Sequence, residues 1–202
     1  GDLLEIEFVD IVSQDYGWTR IRPGAGFLRD EIRGPFLAHW HMHDGWARSA
    51  QIPGVRIPEG AFMGTSAVAP SYAQLERWNA REQAVRDAGG TALAPDPIDA
   101  VPATGAPATR GLRTIPPREN GGNIDAKQLT RGARLYLPVG VDGALFSTGD
   151  AHYAQGDSEC CITAIEMGAT VDVRFKLNKG YAAAHNVTFP RFAHLGYFMA
   201  PQ

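Results

Sequence analysis

Between Gly149 and Glu159 the chain reads GDAHYAQGDSE, which gathers Asp150, His152, Gln155, Asp157 and Glu159 into one short stretch. Carboxylates together with an imidazole are donor types that a divalent cation accepts. The same groups also move protons as general acids and bases. Apolar runs flank the stretch, Ala144 to Phe146 before it and Cys160 to Ile165 after it. That pattern predicts strand, sharp loop, strand, with the first break at Gly149. Glu166 follows in an apolar setting and is therefore either paired or part of the same site. On residue types alone, a solvated acidic turn and a catalytic or metal site both fit.

Three other places carry candidate chemistry. The segment PPRENGGNID (116 to 125) presents Asn123 and Asp125 from a glycine turn, and by itself reads as a hairpin loop. In FLAHWHMHD, His39, His41 and His43 would share one face of a strand, opposite Trp40 and Met42. Imidazoles at that spacing can bind zinc, and they equally suit a surface or a satisfied core, so His41 and His43 rank second. Cys160 and Cys161 are the two cysteines. As neighbours on a strand they point to opposite faces, which argues against a disulfide between them. Cys161 is a competing nucleophile, but its apolar run favours an inert thiol.

The elements that must position these groups are mostly strands. Leu3 to Val12 alternates apolar and acidic residues and predicts a half-buried strand. Gly17 to Phe27, broken by Pro23, Gly24 and Gly26, predicts a loop that serves as a connector or approaches a ligand. Ile52 to Pro70 predicts short strands, and the small residues Gly64 to Ala69 suit close backbone packing, near a pocket or in a plain core. Ser71 to Asp87 predicts a helix capped by Ser71. Residues 90 to 112, rich in Ala, Pro and Thr, predict an irregular surface linker or lid. Leu129 to Val141 and Thr163 to Lys179 predict further strands. The fold class is mostly β with minor α, a β-sandwich-like domain carrying one long Pro/Ala-rich excursion.

The chain has 202 residues, 44% hydrophobic and 20% charged, enough for one sizeable core. A net charge of −3 gives no basic footprint for nucleic acid or an anionic membrane. No window approaches the length of an apolar membrane span, and the cysteine usage fits a reducing cytoplasm. Gly1-Asp2-Leu3 opens inside a strand pattern and the last residues close no element, so a longer parent chain is expected.

GDAHYAQGDSE, GGNID, PPREN, IPGVRI (52 to 57) and RWNAREQA (77 to 84) occur in collinear order and together resemble the acetamidase/formamidase family, in its formamidase-type members. The resemblance implies a single catalytic domain over 1–202 that hydrolyses a short primary amide, formamide or acetamide, to the carboxylic acid and ammonia. Some relatives open cyclic amides, and a degenerate binding or structural relative is the non-enzymatic alternative. It also implies a homo-oligomer. In that frame Asp125, His152 and Glu159 supply a mixed O/N set for a divalent metal, most simply zinc. Asp150 is then a further ligand or the general base, and Glu159 is a catalytic candidate as well as a ligand. Gln155 is a catalytic candidate that donates to the amide oxygen, and Asn123 is expected to contact substrate. Where formamidase-type relatives carry an acidic pair, this chain has His41 and His43.

Overall fold

A computed structural model describes residues 1–90, 101–157, 159–194 and 197–199. Strand β1 (Leu3–Ile21) is the spine of the molecule. β2 (Phe36–His43), β3 (Trp46–Arg48) and β4 (Arg56–Pro58) form an antiparallel ribbon on its second half. Next come β5 (Phe62–Ala67), the helix α1 (Tyr72–Asp87), the short helix α2 (Gly105–Arg110), β6 (Gly121–Asn123) and β7 (Arg134–Pro138). β8 (Ser147–His152), β9 (Glu166–Asn178), the single turn α3 (Tyr181–Ala184), β10 (Arg191–His194) and β11 (Tyr197–Met199) complete the order.

All the strands belong to one antiparallel sheet, running β11-β10-β7-β1-β9-β8-β5-β6, with β2 to β4 branching from β1. The sheet curls on itself. β5 and β7 are separated by three strands, about 19 Å in a flat sheet at 4.8 Å per strand. Yet Thr130, just before β7, bridges Phe62 at the start of β5. The enclosed core takes Ile6 and Phe8 from β1, Met63 from β5, Leu135 and Leu137 from β7 and Ala151 from β8. Among the described residues no helix contributes a buried side chain to this core. Sheet therefore packs against sheet, as the alternation in β1 and β9 requires. Full burial of each large side chain contributes about 1.5–3 kcal/mol.

A second core lies under β2, built from Ala38, Trp40, Met42, Ala47, Tyr153 and Ile165. It fixes the face of β2. Trp40 donates from Nε1 to Thr19 Oγ1 at 3.0 Å, and that hydroxyl donates to the Ala164 carbonyl at 2.7 Å. His39, His41 and His43 must then point outward.

The helix α1 begins as its sequence demands. Ser71 Oγ accepts from the Gln74 amide at 3.2 Å, and Gln74 Oε1 accepts from the Ser71 amide at 2.8 Å, a reciprocal cap. Arg81 meets Glu119 at 2.6 Å and Arg118 meets Glu82 at 2.6 Å. These pairs tie the RWNAREQA and PPREN segments together and brace the chain that leads into β6.

Several expectations need correction. β1 does not end near Val12 but runs through Gly17 to Ile21. A glycine at 17 suits this packing, because a Cβ there would lie 2.7 Å from the Glu166 carbonyl oxygen. Gly149 is no break, as β8 passes through it. The turn instead follows His152, and residues 160 to 165 form no strand, with Thr163, Ala164 and Ile165 buried but Cys160 and Ile162 exposed, so β9 starts only at Glu166. The expected hairpin turn falls at Glu119 and Asn120, where Arg118 and Gly121 exchange backbone hydrogen bonds, while Gly121 to Asn123 pairs with β5. Within 90–112, residues 105–110 are helical, and residues 91–100 lie outside the described residues.

Candidate active site

β5, β6 and β8 lie side by side, and β8 joins β9 through Ala151↔Met167 and His152↔Glu166. This arrangement places Asp150 and His152 on β8, Glu166 at the start of β9 and Asp125 just after β6 around one point. Glu159 arrives from the turn between β8 and β9. Asp125, Asp150 and Glu159 all have left-handed backbones, with φ of 48°, 58° and 41°. Such conformations cost non-glycine residues energy and cluster at functional sites. Here the surroundings impose them. The Gly64 carbonyl accepts from both Ile124 N (2.9 Å) and Asp125 N (3.0 Å), which turns Asp125 inward.

Gly64 is also the point where the carboxylates cross. A Cβ at this position would lie 2.6 Å from Asp125 Oδ1 and 2.9 Å from both Asp150 O and Asp150 Oδ2. Only the absence of a side chain lets the two acids approach.

His152 is 1% exposed and stands at the centre. Its Nε2 lies 3.3 Å from Asp150 Oδ1 and 3.1 Å from Glu166 Oε2, while Nδ1 lies 3.2 Å from Gln155 Oε1. Gln155 Nε2 donates to the Asp125 carbonyl at 3.1 Å. A carbonyl only accepts, so this contact fixes which end of the amide faces the ring. Gln155 Oε1 must then receive a proton from Nδ1, and Nε2 is left facing carboxylates. Two acceptor types meeting there require a proton or a cation between them.

In the metal-free chain that group is a proton. Burial alone would push the imidazole down, but hydrogen bonds to Asp150 and Glu166 and their charges overcome it and raise His152 to about 10. The hydrogen bond from His152 chiefly holds Asp150 below the ordinary carboxylate range, against the cost of burial. Burial raises Asp125, and neighbouring Asp150 and Glu166 add to the rise. Glu159 is raised by burial and then by Asp125. One imidazolium thus faces four carboxylates, an excess of negative charge.

Two overlapping donor sets follow, Asp125–His152–Glu159 and Asp150–His152–Glu166, each with its donor atoms within 4.8 Å of one another. Among the described residues, Asp125 Oδ1 is buried with no hydrogen-bond partner. A buried unpaired acceptor costs about 1–3 kcal/mol, more when charged, and a cation in the first set would satisfy it. The donors present therefore fit a divalent ion.

The cavity above them holds about 380 Å³ and is lined by Trp18, Arg20, Arg22, Asn123, Cys161 and Ile162 besides the acids. Asn123 is engaged on both sides, accepting from Thr65 Oγ1 at 3.2 Å and donating to the Ile115 carbonyl at 3.1 Å. Gln155 is not in the lining; its amide holds the His152 ring and the Asp125 carbonyl together. His41 and His43 do not join the site, because their strand turns them to solvent, where His43 pairs with Asp44 at 3.2 Å. Asp157 also faces outward and pairs with Lys127. Cys161 Sγ lies 3.3 Å from Thr163 Oγ1 at the cavity wall. Sequence reasoning missed Trp18, Arg20 and Arg22, which the extended β1 brings to the rim. Their alternation with Gly17, Thr19 and Ile21 was the available signal.

A sequence model of the Acetamidase/Formamidase family matches residues 1–199. The chain is 36% identical to the acetamidase of Mycolicibacterium smegmatis over 221 positions, covering 93% of this chain and 52% of that one. It is 32% identical to the formamidase of Methylophilus methylotrophus over 218 positions, covering 95% and 52%. Among solved structures it is similar to a gamma lactamase from Delftia acidovorans, with a TM-score of 0.85 and 34% identity over 99% of this chain and 53% of that one. An acetamidase from Bacillus halodurans follows the same fold, with a TM-score of 0.70 and 26% identity over 96% and 51%. The chain spans about half the length of these relatives. From the family match along nearly its whole length, the chain belongs to the acetamidase/formamidase family.

Proposed function

We propose that this chain carries the hydrolytic site of an amidase that cleaves short primary amides to the carboxylic acid and ammonia, with a divalent ion, most simply zinc, held by Asp125, His152 and Glu159. The observation that carries this reading is the buried, unpartnered Asp125 Oδ1 within 4.8 Å of donor atoms of His152 and Glu159. A divalent ion in such a site polarises the amide carbonyl and lowers the pKa of water to about 7. The protein's own groups do the rest. Gln155 holds the His152 ring so that Nε2 is its free donor. Asp150, 38% exposed at its side chain and beside the donor set, is the base best placed to take a proton from the attacking water. Glu166, 3.1 Å from Nε2 and in the cavity wall, can pass that proton toward the leaving nitrogen. Asn123, already fixed by Thr65 and Ile115, lines the space that the carboxamide would enter. The likeness to an acetamidase and a formamidase supports linear amides as substrates.

A cyclic amide is the second reading, favoured by the likeness to the gamma lactamase at a TM-score of 0.85. Among the described residues no helix is long and apolar enough to cross a membrane. A cytoplasmic location and a homo-oligomeric state belong to the same proposal.

The test is an ammonia-release assay over formamide, acetamide and a γ-lactam (followed by ring opening), before and after chelation. The reading expects turnover of at least one amide, lost on chelation and restored by about one equivalent of zinc per chain. Turnover unaffected by thorough metal removal contradicts the ion's role, and no turnover of any amide contradicts the amidase itself.

A further inference from the structure

The cavity is oddly furnished for formamide or acetamide. At about 380 Å³ it has room for on the order of a dozen waters, each taking about 30 Å³. Those amides have only a few non-hydrogen atoms. Its floor is anionic, but its rim is cationic. Trp18, Arg20 and Arg22 alternate along the end of β1 and the chain just beyond it, and all three line the cavity. Trp18 is register partner to Glu166, which fixes where the row begins relative to the floor. Arg20 lies near the end of β1 and Arg22 just past it, and both are exposed.

Neither guanidinium has a carboxylate partner among the described residues, though four carboxylates line the same space. Arg20 rests over the Trp18 ring at 5.5 Å, which steadies it without neutralising it. Two cationic forks at the mouth have no use for a neutral acetamide. They suit a carboxylate, which guanidinium groups bind through paired charge-assisted hydrogen bonds. The floor would repel such a group, so an anionic substrate can enter only with its charge at the rim.

Resting on the amidase reading above, we propose that the site takes amides with a carboxylate at the far end of a short methylene chain, the monoamides of dicarboxylic acids. Arg20 and Arg22 hold the carboxylate, Ile115 and Ile162 flank the chain, and the carboxamide lies against Asp125, His152 and Glu159. Water adds its oxygen to the carboxamide carbon and the C–N bond breaks. The nitrogen leaves as ammonia with the proton it gains, and the product is a dicarboxylate. No oxidant or second substrate is required.

The test compares succinamate with butanamide, a neutral amide of the same chain length, by kcat/KM for ammonia release in the intact protein. The proposal expects a ten- to hundredfold preference for succinamate, the range of one or two charge-assisted bonds, shrinking as salt is added. In Arg20→Gln/Arg22→Gln the ratio should fall to near one, chiefly through a raised KM for succinamate. Arg20→Lys/Arg22→Lys should restore part of it. A wild-type ratio at or below one overturns the proposal without any variant, and a preference that survives the double glutamine change overturns the role of the arginines. Acetamide turnover with no preference for succinamate sinks this inference alone. No ammonia from any amide sinks the amidase reading and this one with it.

Discussion

The acidic cavity floor and the outer face of β2 both contain metal-binding residue types at short spacing, and they come to opposite ends. On β2, His39, His41 and His43 lie at every second position and all point to solvent, because Trp40 and Met42 claim the buried side. Their rings project outward side by side, and among the described residues their nitrogens do not gather into a set of three donors close enough to share one ion. At the floor the donors come from the end of β6, from β8, from β9 and from the turn between the last two, and three of them have left-handed backbones. Convergence comes from bringing several chain segments to one point, with the Asp150–His152 spacing on β8 as one part of it.

The largest effect should come from exchanging these two regions' roles in an experiment. His152→Ala is expected to abolish stoichiometric zinc and lower ammonia release by about 10² to 10⁴-fold, as loss of a central acid–base or ligand group does. Substituting His39, His41 and His43 together by Ala should leave zinc content intact and activity within about twofold, because exposed positions rarely matter more. Metal analysis and steady-state assays on the two proteins separate the regions directly.

Gly64→Ala probes convergence itself. The new methyl group would sit 2.6 Å from Asp125 Oδ1, so the two carboxylates must part. Overpacking of this kind costs about 1–3 kcal/mol of stability. A displacement near 1 Å costs about 100-fold in rate. Denaturant melts and kcat measurements should reveal a catalytic loss well beyond the loss of folded protein.

Gln155→Leu should weaken zinc binding by about 10- to 100-fold, the usual cost of losing a hydrogen bond to a ligand's far side. It should also remove the acceptor facing Nδ1–H of the imidazolium, visible as a change in the Nδ1 ¹⁵N shift of the metal-free protein. A purely structural glutamine would not move that shift.

The smallest step is in pH. Metal-free His152 stays protonated to about pH 10, while ligation requires the neutral ring. Affinity for zinc should therefore rise about tenfold per pH unit through neutrality and level off above pH 10. Calorimetry in buffers of different ionisation enthalpy should show about one proton released per zinc at pH 8 from this group.

Much of this molecule could be read from its residues, and the parts that could not share one cause. Alternation exposed β1 and β9, and Ser71 with Gln74 announced the start of α1. The small residues from Gly64 onward pointed to close approach, which the structure puts between Asp125 and Asp150. Asp125, His152 and Glu159 could be grouped in advance because family motifs carried them, and the structure brings their donor atoms together. Local glycine signals misled at Gly17 and Gly149, where the residue serves packing or simply continues a strand. The cationic rim stayed hidden because it depends on β1 extending past Gly17, which is decided by pairing with β2 and β9. Nothing local reveals that the Gln155 amide holds the His152 ring and the Asp125 carbonyl together.

The most direct test of the central claim is a crystal of the protein grown with zinc and measured on both sides of the zinc absorption edge. An anomalous peak among Asp125, His152 and Glu159, with β2 bare, is the expected result. A peak confined to His41 and His43, or none near His152 at full zinc occupancy, would contradict it.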